Sequence, residues 1–223
     1  GLGRTFPIIS IVTAFANLFG MGGSPLFSME RGRGDVDKAR KIMGNTFARL
    51  VGTGILLTVV ILLIKQPLLY AFGASDVTYP YANGYITIYL CGSVFVMIGL
   101  GMNNFINAQG FGRKGMMTVL LGAVTNIVLD PIFIFLLNMG VQGAALATVI
   151  SQFISAVWAV SFLRGKKTLI RLEPQSMKID LKLVWKIISL GFSSFIMAVT
   201  NSIVQITCNS TLQTFGGDLY VGV

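Results

Sequence analysis

Apolar and polar residues alternate along this chain on the scale of whole helices. Six predominantly apolar runs, at about 5–27, 46–64, 84–108, 116–137, 143–163 and 187–212, are separated by stretches that hold most of the charge. A helix needs roughly 20 such residues to cross the hydrocarbon of a bilayer. None of the runs shows the period-two alternation of a barrel strand, and a backbone in lipid must satisfy its own hydrogen bonds. The predicted fold is therefore an all-α polytopic membrane protein with six transmembrane helices. The longest connector, 164–186, contains Pro174 and a concentration of charge, and reads as a linker between a bundle at 1–163 and a second one beginning at 187–223. Within it Asp180 is placed to cap a short helix entering LKLVWKI, and Trp185, between Lys182 and Lys186, suits the headgroup level.

Charge orients these runs. Arg31, Arg33, Lys38, Arg40, Lys41 and Arg49 follow the first run, Arg113 and Lys114 separate the third from the fourth, and the linker carries seven more. Fifteen of the 17 basic residues thus gather in short loops on one side, leaving Arg4 and Lys65 for the other. The positive-inside rule makes the rich side cytoplasmic, so both ends of the chain are expected to face outward and the chain is expected to be part of a longer protein. Composition agrees with a membrane setting: 54% of residues are hydrophobic, mean hydropathy is +0.77, and only 11% are charged, where a soluble domain carries about 25%. The net charge of +9 sits in loops, with no domain-sized basic surface, which argues against nucleic acid. Without histidine there is no His metal site, catalytic dyad or proton relay, and no metal centre is expected. Cys91 and Cys208 lie inside apolar runs and read as small buried hydrophobes.

Most acidic residues, Glu30 among them, fall in loops or at run ends; Asp130 alone sits within a run, in TNIVLDPIFIF. A carboxylate there costs several kcal/mol unless paired, hydrated or protonated, which makes it a functional candidate. Asn126, four residues earlier, shares its helix face, and Pro131 frees the carbonyl of Ile127 from the helical ladder. Carboxylate, amide and carbonyl on adjoining turns suit a proton or a small cation, although an Asn can also bridge helices and Pro occurs in ordinary membrane helices. Asn103, Asn104 and Asn107 crowd the end of the third run, Thr148 and Ser151 lie on the fifth, and Asn201, Gln205 and Asn209 form a stripe on the sixth. Each can serve helix packing as readily as substrate contact. Gly140, Ala144 and Thr148, like Gly143 and Ala147, have the spacing that lets helices approach closely. GFGRKG lacks the spacing and hydroxyl of a phosphate loop, and NST at Asn209 matches a glycosylation tripeptide.

The block GAVTNIVLDPIFIFLLNMGVQGAALATVISQ, Gly122 to Gln152, resembles the fifth and sixth helices of multidrug and toxic compound extrusion transporters, and GRGDVDKAR and INAQGFGRKGMM resemble that family's cytoplasmic loops. The resemblance implies helices two to seven of twelve: most of one six-helix lobe, the interlobe linker and the first helix of the second lobe. It further implies a multi-pass protein of the cell membrane that exports amphipathic, often cationic drugs in exchange for H+ or Na+, with no other cofactor. Asp130, Asn126 and Thr148 match the family's cation site; Asn103 matches it from the fourth helix, and Asn103 and Asn126 are the expected substrate contacts. The family's first-helix Asp, and the seventh-helix Glu of some members, have no counterpart here. The rival readings are a flippase for lipid-linked precursors, a membrane-embedded enzyme and a structural membrane subunit. The first would call for cationic residues within the spans, and the second for more than one intramembrane carboxylate.

Overall fold

The computed structural model describes residues 5–71 and 79–221, with backbone alone at 71, 206, 209, 210 and 212–221. Arg4 and Asp76, and the side chains of Asn209 and Asp218, lie outside the described residues. The described chain forms α1 (Phe6–Gly32), α2 (Val36–Ala71), α3 (Tyr79–Cys91), α4 (Ser93–Ala108), α5 (Gly112–Pro131), α6 (Gly140–Arg164) and α7 (Leu181–Val221). Five helices are long and apolar enough to cross a bilayer, and α3 with α4 makes a sixth pass bent by 54°. The six apolar runs thus correspond to six passes.

Several boundaries differ from the hydropathy pattern, for physical reasons. The second run covers only the middle of α2, which continues outward at both ends because helical hydrogen bonding does not stop where the hydrocarbon does. Lys38, Arg40 and Lys41 therefore lie on α2 rather than in a loop, and Asp35 caps its first turn by accepting from the Lys38 N–H at 3.0 Å. Arg113 and Lys114 likewise belong to the first turn of α5. Asp180 does cap a helix, accepting from the N–H groups of Lys182 (2.9 Å) and Leu183 (3.4 Å), but that helix is no short prelude: it continues as the 41-residue α7. The cysteines are exposed, not buried, since an apolar residue in a spanning helix has no need to face the protein interior.

The third run breaks at Gly92. A Cβ there would stand 2.5 Å from a methyl of Val149 on α6, so the close approach of α6 requires glycine. The Thr58 hydroxyl of α2 lies 2.8 Å from the Leu90 carbonyl and 2.8 Å from Ser93 Oγ, which supplies partners for polar groups at the bend. The fourth run also changes geometry: α5 ends at Pro131 and passes into a π turn, Ile132–Leu136, closed by Leu137 N–H to Ile132 O at 3.0 Å.

α1 runs through the bundle and packs against α2, α4 and α7. Against α7 the contact is backbone to backbone: a Cβ on Gly22 would meet the Ile187 carbonyl, and one on Gly191 would meet the Leu18 carbonyl. The linker is strapped down by two amide side chains. Gln109 pairs with both backbone groups of Ile170, at 3.1 and 3.0 Å. Asn45 donates to Lys178 O (3.0 Å) and accepts from Asp180 N–H (2.8 Å).

Candidate functional site

One face of α5 carries Thr118, Gly122, Asn126 and Asp130 at four-residue spacing. The first three, with Asn103 from α4 and Thr148, Ser151 and Ser155 from α6, line a cavity of about 250 Å³. Gly122 keeps the space open, because a Cβ there would stand 2.5 Å from Ser155 Oγ. The structure therefore brings together three of the four residues singled out in the sequence, Asn103, Asn126 and Thr148. Asp130 lies one turn beyond, joined to them by Asn126 Nδ2, which donates to Asp130 Oδ1 at 3.4 Å.

The hydroxyl hydrogens around this cavity are already committed. Thr118 donates to Lys114 O (3.2 Å), Thr148 to Ala144 O (2.9 Å), Ser151 to Thr148 O (2.8 Å) and Ser155 to Thr118 O (3.0 Å). A hydroxyl has one hydrogen and two lone pairs, so each of these oxygens can offer only an acceptor. Asn103 Oδ1 is buried without a hydrogen-bond partner. Asn126 spends an amide hydrogen on Asp130 and keeps its carbonyl oxygen. Asp130 is half-buried, and no Lys or Arg pairs with it among the described residues. The site is thus rich in oxygen acceptors and lacks a fixed cation, which is the chemistry that receives a proton or a hard cation.

The helix breaks beside Asp130 belong to this arrangement. Pro131 cannot donate to the Ile127 carbonyl, which leaves another acceptor on the next turn. The π turn that follows lies on α6, where a Cβ at Gly143 would stand 2.8 Å from the Phe133 backbone. Tyr85 of α3 is buried, and α3 packs against α6, which carries Thr148.

Tyr85, Gly122 and Ser155 escaped the sequence reading. Only the four-residue spacing of Thr118, Gly122 and Asn126 could have marked Gly122; a tyrosine near a span end ordinarily reads as an interface residue. The other polar clusters divide. Asn104 donates to Leu100 O in its own helix (3.1 Å), and Asn107 packs against Gly115. On α7, Gln205 meets Ser10 at 3.5 Å while Asn201 is exposed. Glu30 is no loose helix end either: it is buried and paired with Lys38 at 2.8 Å and Arg33 at 3.3 Å.

Comparison with known proteins extends the picture. A family model described as MatE matches residues 1–132, ending just after Asp130 and Pro131. Among curated proteins, Multidrug export protein MepA of Staphylococcus haemolyticus (strain JCSC1435) is 28% identical over 212 residues, covering 95% of this chain and 47% of that protein. MepA of Staphylococcus aureus (strain NCTC 8325 / PS 47) is 24% identical over the same length and coverage. The chain spans about half the length of these relatives. Among solved structures, the inward-facing conformation of a multidrug resistance MATE family transporter of the MOP superfamily superposes with a TM-score of 0.93 at 26% identity, over 98% of this chain and 50% of that one. An outward-facing conformation under the same description gives 0.88 at 26% identity, over 99% and 49%.

Proposed function

The chain belongs to the MatE family, and on that premise we propose that it carries the ion-coupling lobe of a secondary antiporter exporting amphipathic, often cationic compounds in exchange for H+ or Na+. The observation that carries this reading is the cavity between α4, α5 and α6, whose hydroxyls offer only acceptors, beside an Asp130 with no Lys or Arg partner among the described residues. The names of the relatives, multidrug export proteins, point to the cargo.

In this mechanism Asp130 takes the coupling ion. A proton neutralises the carboxylate and removes one attraction for Asn126 Nδ2; a sodium ion instead draws on the carboxylate, the Asn126 carbonyl oxygen and the Thr148 hydroxyl. Either event occurs beside Pro131 and the π turn, where the backbone is least bound by regular helical bonds. Drug occupies a central cavity between two lobes, with Asn103 and Asn126 as contacts from this one. Coupling arises because ion and drug favour different lobe arrangements. The basic helix ends face the cytoplasm by the positive-inside rule. Residues 1–223 expressed alone are expected not to export, since the mechanism needs a second lobe.

The test is reconstitution of a transporter carrying both halves in vesicles, with proton and sodium gradients imposed separately. Drug movement driven by one of them, with counterflow of that ion, is the expected result. Drug movement indifferent to both gradients would overturn the coupling role.

A further inference from the structure

On the basic side of the bundle a groove of about 600 Å³ separates the start of α2 from the segment that leads out of the linker into α7. Lys41 stands on one wall and Lys178 and Lys182 on the other, over a floor formed by Asn45 and Ser176. Lys186 joins them one turn further along α7. The nearby acids have partners of their own, including Asp180, which also lines the groove. Asp180 caps α7, Asp35 caps α2, and Asp37 and Glu173 lie 3.3 and 3.7 Å from Arg40. Glu30 is paired with Lys38 and Arg33. Lys41, Lys178, Lys182 and Lys186 consequently have no ion-pair partner among the described residues, and all four are exposed.

The same segment exposes its large apolar side chains. Ile179 is 58% exposed, Leu181 73% and Trp185 72%, each next in sequence to one of these lysines or between two. A soluble anion would engage the lysines and make no use of those side chains. A molecule with a negative headgroup and acyl chains satisfies both. We propose that Lys41, Lys178 and Lys182, with Lys186 beside them, form a headgroup site for an anionic phospholipid of the leaflet that meets the basic helix ends, its chains lying against Ile179, Leu181 and Trp185. The lipid would hold the junction between the linker, strapped to α2 by Asn45, and α7, packed on α1 at Gly22 and Gly191. This requires only that the helices cross a bilayer, and stands or falls apart from any transport activity.

The experiment extracts the protein from nanodiscs of phosphatidylcholine containing a minority of phosphatidylglycerol, and counts retained lipids by native mass spectrometry. Wild type should retain phosphatidylglycerol well above its share of the bilayer, and lose it as salt is raised. Removing one basic residue near an anionic surface costs about fivefold in affinity. The triple variant Lys41→Gln, Lys178→Gln, Lys182→Gln should therefore lose the enrichment. A control triple, Arg113→Gln, Lys114→Gln, Lys166→Gln, removes the same charge elsewhere and should keep it. If the first triple fails to fold, Lys182→Gln alone should still reduce retention about fivefold. Equal retention of the two lipids by wild type, or equal loss in both triples, would overturn the site. Displacement of phosphatidylglycerol by inorganic phosphate, but not by chloride at the same ionic strength, would assign the lysines to a soluble anion and overturn the lipid.

Discussion

The side of the bundle where α1 meets α2 and α7 and the side where α4, α5 and α6 meet treat their polar groups in opposite ways. On the first, Glu30 is buried with Lys38 at 2.8 Å and Arg33 at 3.3 Å, and glycines bring α1 and α7 into backbone contact. On the second, Asp130 is half-buried without a cationic partner among the described residues, next to a cavity whose hydroxyls have spent their hydrogens on backbone carbonyls. A buried charge that already has its partner gains nothing from a ligand, whereas an acceptor cluster without one is completed by a proton or cation. The first side satisfies its charges internally, and the second presents oxygen acceptors to a cavity. Burial alone would select Glu30, the more deeply buried carboxylate, and not the Asp130 of the proposal.

That contrast can be broken most forcefully at Gly191. In Gly191→Leu the new side chain must displace the Leu18 carbonyl of α1, and overpacking of about 3 kcal/mol or more should unseat α7. Thermal unfolding in detergent would show a large fall in midpoint; an unchanged midpoint would mean the helices do not meet there. Glu30→Gln is milder. It leaves Lys38 able to turn to solvent, and a loss of about 1–3 kcal/mol is expected from the buried pair, with export per folded molecule unaffected. Ion dependence altered by Glu30→Gln would erase the distinction between the two sides. Smallest in stability, at about 1 kcal/mol or less, should be Asn126→Ala and Thr148→Ala, each removing one neutral group from the cavity. Their effect should appear instead as a shift in the pH or sodium dependence of export, which titrations of each variant would reveal.

The sequence disclosed most where the bilayer constrains it. Six spans were legible because lipid demands long apolar runs, and Asp130 with Asn126 because a carboxylate in such a run is costly. Helix ends were not, since α2 continues past its apolar core at both ends under local hydrogen bonding alone. The bend at Gly92 depends on Val149, 57 positions away, and nothing local separates that glycine from the other 25. Thr148 and Asn103 were legible as polar groups in apolar runs, but only the family resemblance set them apart from their neighbours. Ser155 went unnoticed because a serine hydroxyl in an apolar helix usually satisfies its own backbone, and Tyr85 because a tyrosine near a span end reads as an interface residue. The burial of Glu30 was hidden for a similar reason: hydropathy marks it as a run end, and only the helical start of α2 brings Lys38 over it.

Asp130→Asn bears hardest on the proposed coupling role of this carboxylate. It keeps the shape of the side chain and resembles the protonated carboxyl, so folding and membrane insertion should be preserved and drug binding can survive. Export by wild type and Asp130→Asn, in a transporter carrying both halves, should be measured across pH and sodium concentration and normalised to folded protein. The account predicts that ion-coupled export is abolished while the protein remains folded. Wild-type export from Asp130→Asn with unchanged ion dependence would contradict it.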